Sequence, residues 1–199
     1  METDEYVQPI LVATNGGHAA AIAAAATASV AAWPVTDPRL WQPWLAGRFT
    51  KTVRRAKPGP FSRLAPDADA TAYIGGVQAA AWAPCTYADL DPRIGKLQVS
   101  GTVFDRSGDT TADRGAPGLH LLVDEKLTTG KACAQGAHAA WLWALAAGPA
   151  SAAAWAADPA IHVHLVPDVA AAGLDWTVVD AGLTEVDPGS TTAASWWVP

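Results

Sequence analysis

The alternation and clustering of apolar positions divide the chain into two halves of similar plan. In the second half, residues 119–123 form an apolar run of strand length. Residues 131–146 read as a helix, with Thr128 or Thr129 as N-cap and Gly148-Pro149 as the stop. The segment IHVHLV at 161–166 alternates as a strand does, residues 175–180 predict another, and 191–198 a last one. In the first half, residues 10–13 predict a strand and 18–33 an Ala-rich helix. Residues 49–55 alternate as a strand, and 72–82 and 96–103 predict two more. Between the halves, 107–117 (SGDTTADRGAP) is small, polar and Gly/Pro-bearing, and reads as a linker. The strings GGHAAAIAAA from Gly16 and QGAHAAWLWA from Gln135 also look alike. The pattern predicts an α/β fold containing a degenerate internal repeat.

Composition and charge refine this picture. Apolar residues make up 50% of the 199 and charged residues 16%, which is globular usage. Much of the apolar share is Ala, which buries little, but ten tryptophans restore core-forming area. Two cysteines, Cys85 and Cys133, exclude a disulfide framework and a four-cysteine zinc site. The net charge of -6 disfavours non-specific wrapping of nucleic acid. Nevertheless Arg48, Lys51, Arg54, Arg55, Lys57 and Arg63 form a local basic stripe. Such a stripe either grips phosphates or is solvated and paired with Asp67 and Asp69. The start Met1-Glu2-Thr3-Asp4-Glu5 lacks the basic residues of a signal peptide. The uncharged stretch 132–157 is interrupted by Gln135, His138 and Gly148-Pro149, so no membrane span is expected, and the expected location is the cytoplasm.

Candidate chemistry concentrates in the second half. Lys131, Gln135 and His138 stand at i, i+4 and i+7 and share one helix face. A Lys in a first helical turn, beside free backbone N–H groups, suits an anion; the alternative is a solvated Lys and a His packed near Trp141 or Leu142. Thr129-Gly130-Lys131-Ala132 is not a P-loop, because Glu125 stands for the first Gly and Ala132 for the magnesium-holding hydroxyl. In DAGLTEVDPGS at 180–190, Asp180 and Thr184 can meet a ligand at a sheet edge, or Asp180 can satisfy turn amides. His162 and His164 share a strand face, but no third metal ligand has a supporting spacing, so no metal is expected. No G-x-S-x-G elbow occurs, and neither cysteine has an obvious base partner.

Two segments together carry a resemblance. GKACAQGAHA at 130–139 resembles the G-K-x-A-A-Q-x-A-H-A helix start of type 2 peptidyl-tRNA hydrolases. DAGLTE at 180–185 resembles that family's D-A-G-x-T-Q, and the following VDPGSTT its x-x-P-G-T-x-T. The order matches across roughly residues 119–199. The resemblance implies a small α/β domain with a mixed β-sheet flanked by helices. It implies metal-independent and cofactor-free hydrolysis of the ester joining a peptide to tRNA, a role in translation. By that resemblance Lys131 and Asp180 are the catalytic pair and Thr184 their neighbour, while Gln135, His138, Lys126 and Thr192 contact the substrate. Asp124 aligns with a family Asp in the loop before the helix.

The chain also departs from the family. Thr128-Thr129 replaces a common Gly-Lys pair, Glu185 replaces Gln, and the shortened stretch after Val166 leaves the second helix reduced or missing. Residues 1–106 align loosely as a non-catalytic copy, with Ile74-Gly75-Gly76 opposite Asp180-Ala181-Gly182. Residues 107–117 then link this copy to the hydrolase-like 118–199. Because family members pair as homodimers, the halves are expected to pack as an intramolecular pseudo-dimer, the chain itself being a monomer. Arg48, Lys51, Arg54 and Arg55 would then hold the tRNA backbone. Two other functions remain open: transfer of an aminoacyl group to a small acceptor, in a pocket lined by Trp176, Trp196 and Trp197, or tRNA binding without turnover.

Overall fold

The computed structural model describes residues 5–106, 113–182 and 184–199. The linker expected at 107–117 therefore lies largely outside the described residues. The first half contains β1 (Tyr6–Ala13), α1 (His18–Ala31), α2 (Gln42–Ala46), β2 (Thr50–Ala56), α3 (Pro58–Leu64), β3 (Ala70–Ile74), β4 (Val77–Ala81), β5 (Cys85–Thr86) and α4 (Pro92–Gly95). The second contains β6 (Gly118–Asp124), α5 (Thr129–Ala147), α6 (Pro149–Ala157), β7 (Ile161–Val166), β8 (Trp176–Val179) and β9 (Thr191–Val198).

The repeat lies in the topology. One sheet has the order β2-β1-β4-β3, with β5 added beside β1, and the other β7-β6-β9-β8. In each, the two strands flanking the long helix pair in parallel and the remaining pairs are antiparallel. The mixed α/β sheet is thus present twice.

The two halves share one core. α1 packs on β1, β3 and β4 of its own sheet, α5 packs on β6, β8 and β9, and the helices pack on each other. Each also reaches the opposite sheet's edge strand, α1 meeting β7 and α5 meeting β2. Both helices are apolar around most of their circumference, as helices covered on several sides must be. Their crossing depends on small residues. A Cβ added at Gly136 would stand 2.6 Å from Ile22 Cγ2, so the helices approach as closely as a glycine allows. Trp41, Trp44 and Trp141 are fully buried beside this crossing, with ring centroids 4.9–5.6 Å apart. Trp141 Nε1 donates to Ser29 Oγ, and Ser29 in turn donates to Gln8 Oε1, tying α5, α1 and β1 together.

Several expectations change. Residues 72–82 form a hairpin rather than one strand, because Gly75 and Gly76 both take positive φ between β3 and β4. Residues 96–103 form no strand apart from a single bridge between Gln98 and Arg55. The Thr102 carbonyl among them reaches the second half, accepting from Gly130 N–H. Just beyond them, Phe104 N–H donates to Thr129 Oγ1 at 2.8 Å. Thr128 is the N-cap residue by backbone conformation, but its side chain makes no cap bond. Gly148-Pro149 ends α5 and at once starts α6, since Pro fits a first helical turn. Only a three-residue 3₁₀ turn, Ala170–Ala172, stands between β7 and β8, where the first half has α3. The match of GGHAAAIAAA to QGAHAAWLWA is out of register. His18 opens α1, whereas Thr129 opens α5, and these two side chains meet at 2.9 Å. Among the described residues no helix is long and apolar enough to cross a membrane.

The close crossing makes a prediction whose sign depends on the partner residue. Gly136→Ala should destabilise the protein in urea denaturation, because overpacking costs about 1–3 kcal/mol and outweighs about 1 kcal/mol of helix propensity. In an Ile22→Ala background, which removes the opposing Cγ2, the same change should be neutral or stabilising. Equal destabilisation in both backgrounds would contradict the crossing geometry.

Candidate functional site

A cavity of 610 Å³ lies where the two halves meet. Lys131, Gln135 and His138 line it from one face of α5, as their spacing requires. Arg48, Phe49, Thr50 and Lys51 line it from the start of β2, in the other half. Thr177 and Val179 of β8, with Ala181 and Thr184 of the following loop, complete it. Among the described lining residues there are three cations, Arg48, Lys51 and Lys131, and no carboxylate. The cavity therefore favours an anionic or electron-rich ligand.

Phe49 was not legible as a site residue, yet it organises one end. It has φ 58°, the only positive φ among the described non-glycine residues. Such a backbone costs about 1–2 kcal/mol for a bulky L-residue. In this conformation its carbonyl accepts a 2.6 Å hydrogen bond from His138 Nε2–H, and its ring stacks on the imidazole at 5.3 Å. The His138 proton therefore sits on Nε2. Burial, reinforced by the nearby Lys51 charge, lowers the His138 pKa to about 3, so the ring is neutral. His138 shares the cavity with Leu142, and the Phe49 ring that stacks on it also meets Trp141, while its hydrogen-bond partner comes from the opposite half.

Lys51 is only 8% exposed. Its ammonium lies 3.7 Å from the Phe49 ring centroid and 4.6 Å from that of Trp44, with a long 3.5 Å contact to the Phe49 carbonyl. Burial pushes its pKa well below the ordinary lysine value. Gln135 is 7% exposed, and its Oε1 is buried without a hydrogen-bond partner among the described residues.

The 180–190 loop is held from both ends. Asp180 N–H donates to Ser190 O, and Gly189 N–H donates to Asp180 O. Asp180 Oδ2 accepts from Gly182 N–H at 2.7 Å, whereas Oδ1 is buried without a hydrogen-bond partner among the described residues. Asp180 thus satisfies a turn amide with one oxygen; it is buried and is not among the residues lining the cavity, although its neighbour Ala181 is. The Thr128 hydroxyl donates to Glu185 Oε1 at 2.7 Å. The two departures in sequence at these positions are therefore partners, joining the loop to the start of α5.

Other expected residues do not converge here. Arg54 donates to the carbonyls of Gly95 and Leu97, and Arg55 donates to Gln98 Oε1, so the basic stripe is split. Lys126 is exposed in the turn after β6, where its N–H donates to Asp124 Oδ1. Thr192 is buried in β9, with its hydroxyl on Val178 O. The tryptophans proposed for an acceptor pocket lie elsewhere. Trp196 stacks on His120 and His164, Trp197 stacks on Trp143, and Trp176 packs against the core. His164 and His120 bond to each other at 2.9 Å, and His162 contacts the Pro117 carbonyl. No three His, Cys, Asp or Glu side chains among the described residues converge as a metal group would.

The first half lacks an equivalent cavity lining. Counting from the helix starts, Ala20, Ala24 and Thr27 stand where Lys131, Gln135 and His138 stand. The β3–β4 hairpin closes onto this alanine face: a Cβ on Gly75 would lie 2.8 Å from Ala20 Cβ. In comparisons with known proteins, no family model, curated protein or solved structure matches the chain.

The buried imidazoles set a pH dependence. The His138 pKa falls from about 6.5 unfolded to about 3 folded, and burial with neighbouring charges lowers that of His164 to about 4. Their stabilising effect is complete above pH ~6.5 and is lost as pH falls toward the folded values. Stability in urea should decline between about pH 6.5 and pH 4. His138→Gln, which keeps a donor for the Phe49 carbonyl, should flatten part of that slope. An unchanged slope in this variant would contradict a neutral, buried His138.

Proposed function

We propose that the chain hydrolyses the ester of peptidyl-tRNA or of N-blocked aminoacyl-tRNA in this cavity. One observation carries the reading. Two separate segments that resemble the type 2 peptidyl-tRNA hydrolases, the start of α5 and the 180–190 loop, contribute Lys131, Gln135, His138, Ala181 and Thr184 to the same cavity. The cations along its wall suit a substrate that carries phosphates and develops an oxyanion.

In this proposal water attacks the ester carbonyl while Asp180 takes the water's proton on Oδ1, which has no hydrogen-bond partner among the described residues. Charge develops on the carbonyl oxygen beside Lys131; the bond to the ribose oxygen then breaks, and that oxygen takes the proton back from Asp180 as the 3′ hydroxyl. The helix amides contribute less than the position alone suggests, because Gly130 N–H is already directed at Thr102 O. Thr184 orients the water or the terminal ribose. A second reading, tRNA binding without turnover, is favoured by the engagement of the Asp180 carboxylate with Gly182.

Release of N-acetylaminoacyl groups from tRNA separates the two. Wild type should turn over, and Lys131→Ala and Asp180→Asn should each lose about a hundredfold or more in rate. Full activity in both variants overturns the site. Retained tRNA binding with no wild-type turnover selects the binding protein.

A further inference from the structure

Lys51 and Gln135 present opposite unmet needs to one cavity. The Lys51 ammonium is buried, and no carboxylate among the described residues forms an ion pair with it. Aromatic faces stabilise a cation, but they do not replace a counter-ion. Gln135 Oε1 is a buried acceptor that lacks a donor among the described residues. Arg48 is exposed and adds a second cation to the lining. Phe49, Leu142 and Val178 supply apolar surface in the same cavity. Its volume falls in the ~300–1,000 Å³ range of small-molecule sites.

From these observations we infer that the first half forms a buried phosphate subsite, in which Lys51 and Arg48 hold the 5′-phosphate of a nucleoside monophosphate unit and Gln135 Oε1 accepts from its ribose hydroxyl. This subsite rests on the reading above, in which that unit is the 3′-terminal nucleotide of the tRNA. The half that has no catalytic residues then has a defined task. Its Lys51 fixes the terminal phosphate and so leaves Lys131 for the ester. The phosphate neutralises the buried ammonium, and the ribose satisfies the amide oxygen.

The test is calorimetric binding of AMP, adenosine and N-acetylaspartate to the intact protein, to Lys51→Met and to Lys51→Arg. Wild type should bind AMP at least about tenfold tighter than adenosine, the size of one charge-assisted hydrogen bond. Lys51→Met should lose that preference and Lys51→Arg should keep most of it. If Lys51→Met fails to fold, the wild-type preference and its retention in Lys51→Arg decide the matter. Equal binding of AMP and adenosine, or no binding of either, overturns the subsite. Preference for N-acetylaspartate over AMP also overturns it, assigning Lys51 to a carboxylate. Lys51-dependent AMP binding in a protein without esterase turnover keeps the subsite and removes the hydrolase. Turnover without such binding does the reverse.

Discussion

The contact between α1 and α5 is the constraint on which the rest depends. These helices lie against each other and each reaches an edge strand of the opposite sheet. Only a glycine at position 136 lets Ile22 approach so closely. Because of that approach, β2 of the first half is brought against the polar face of α5, and the cavity is the space between them. The buried tryptophans fill the rest of the junction, and the Trp141–Ser29–Gln8 hydrogen bonds fix their orientation. Loosening the helix contact would therefore disturb the cavity as well as the core.

Two copies of one topology have diverged in opposite directions. In the first, alanines on α1 and the tight Gly75-Gly76 turn bring helix and hairpin into direct contact. In the second, Val179 and Thr191 pair across a long loop, and the helix beneath it carries Lys131, Gln135 and His138. The Thr128–Glu185 hydrogen bond holds that loop to the helix start. The first copy has kept a supporting part, for Phe49 fixes the His138 tautomer and Lys51 enters the cavity from it. A chain with two sheets of the same core topology thus has one composite cavity.

Much of this plan was legible because burial imposes periodicity. The strands Ile161–Val166 and Thr191–Val198 fall where alternation and turn residues put them, and α5 is within two residues of its expected span. The helical spacing of Lys131, Gln135 and His138 correctly put them on one face. What stayed hidden depends on contacts distant in sequence. Phe49 carries no local sign of its role, since its positive φ and its bond to His138 arise only once the halves meet. The stripe from Arg48 to Arg63 looked uniform. The 95–98 segment binds Arg54 and Arg55 while Lys51 turns inward, a division that alternation alone does not reveal. Residues 96–103 looked like a strand, but only Gln98 bridges to β2, and the Thr102 carbonyl accepts from the start of α5.

The central claim is that the halves build a single site. It is tested most directly by a double-mutant cycle on N-acetylaminoacyl-tRNA hydrolysis using Lys51→Met and Lys131→Met, one from each half. If both side chains act on one bound substrate, the effects are coupled, and the double variant is faster than the product of the two single losses requires. Strictly additive losses, or a Lys51→Met variant with wild-type kinetics, would contradict a shared site.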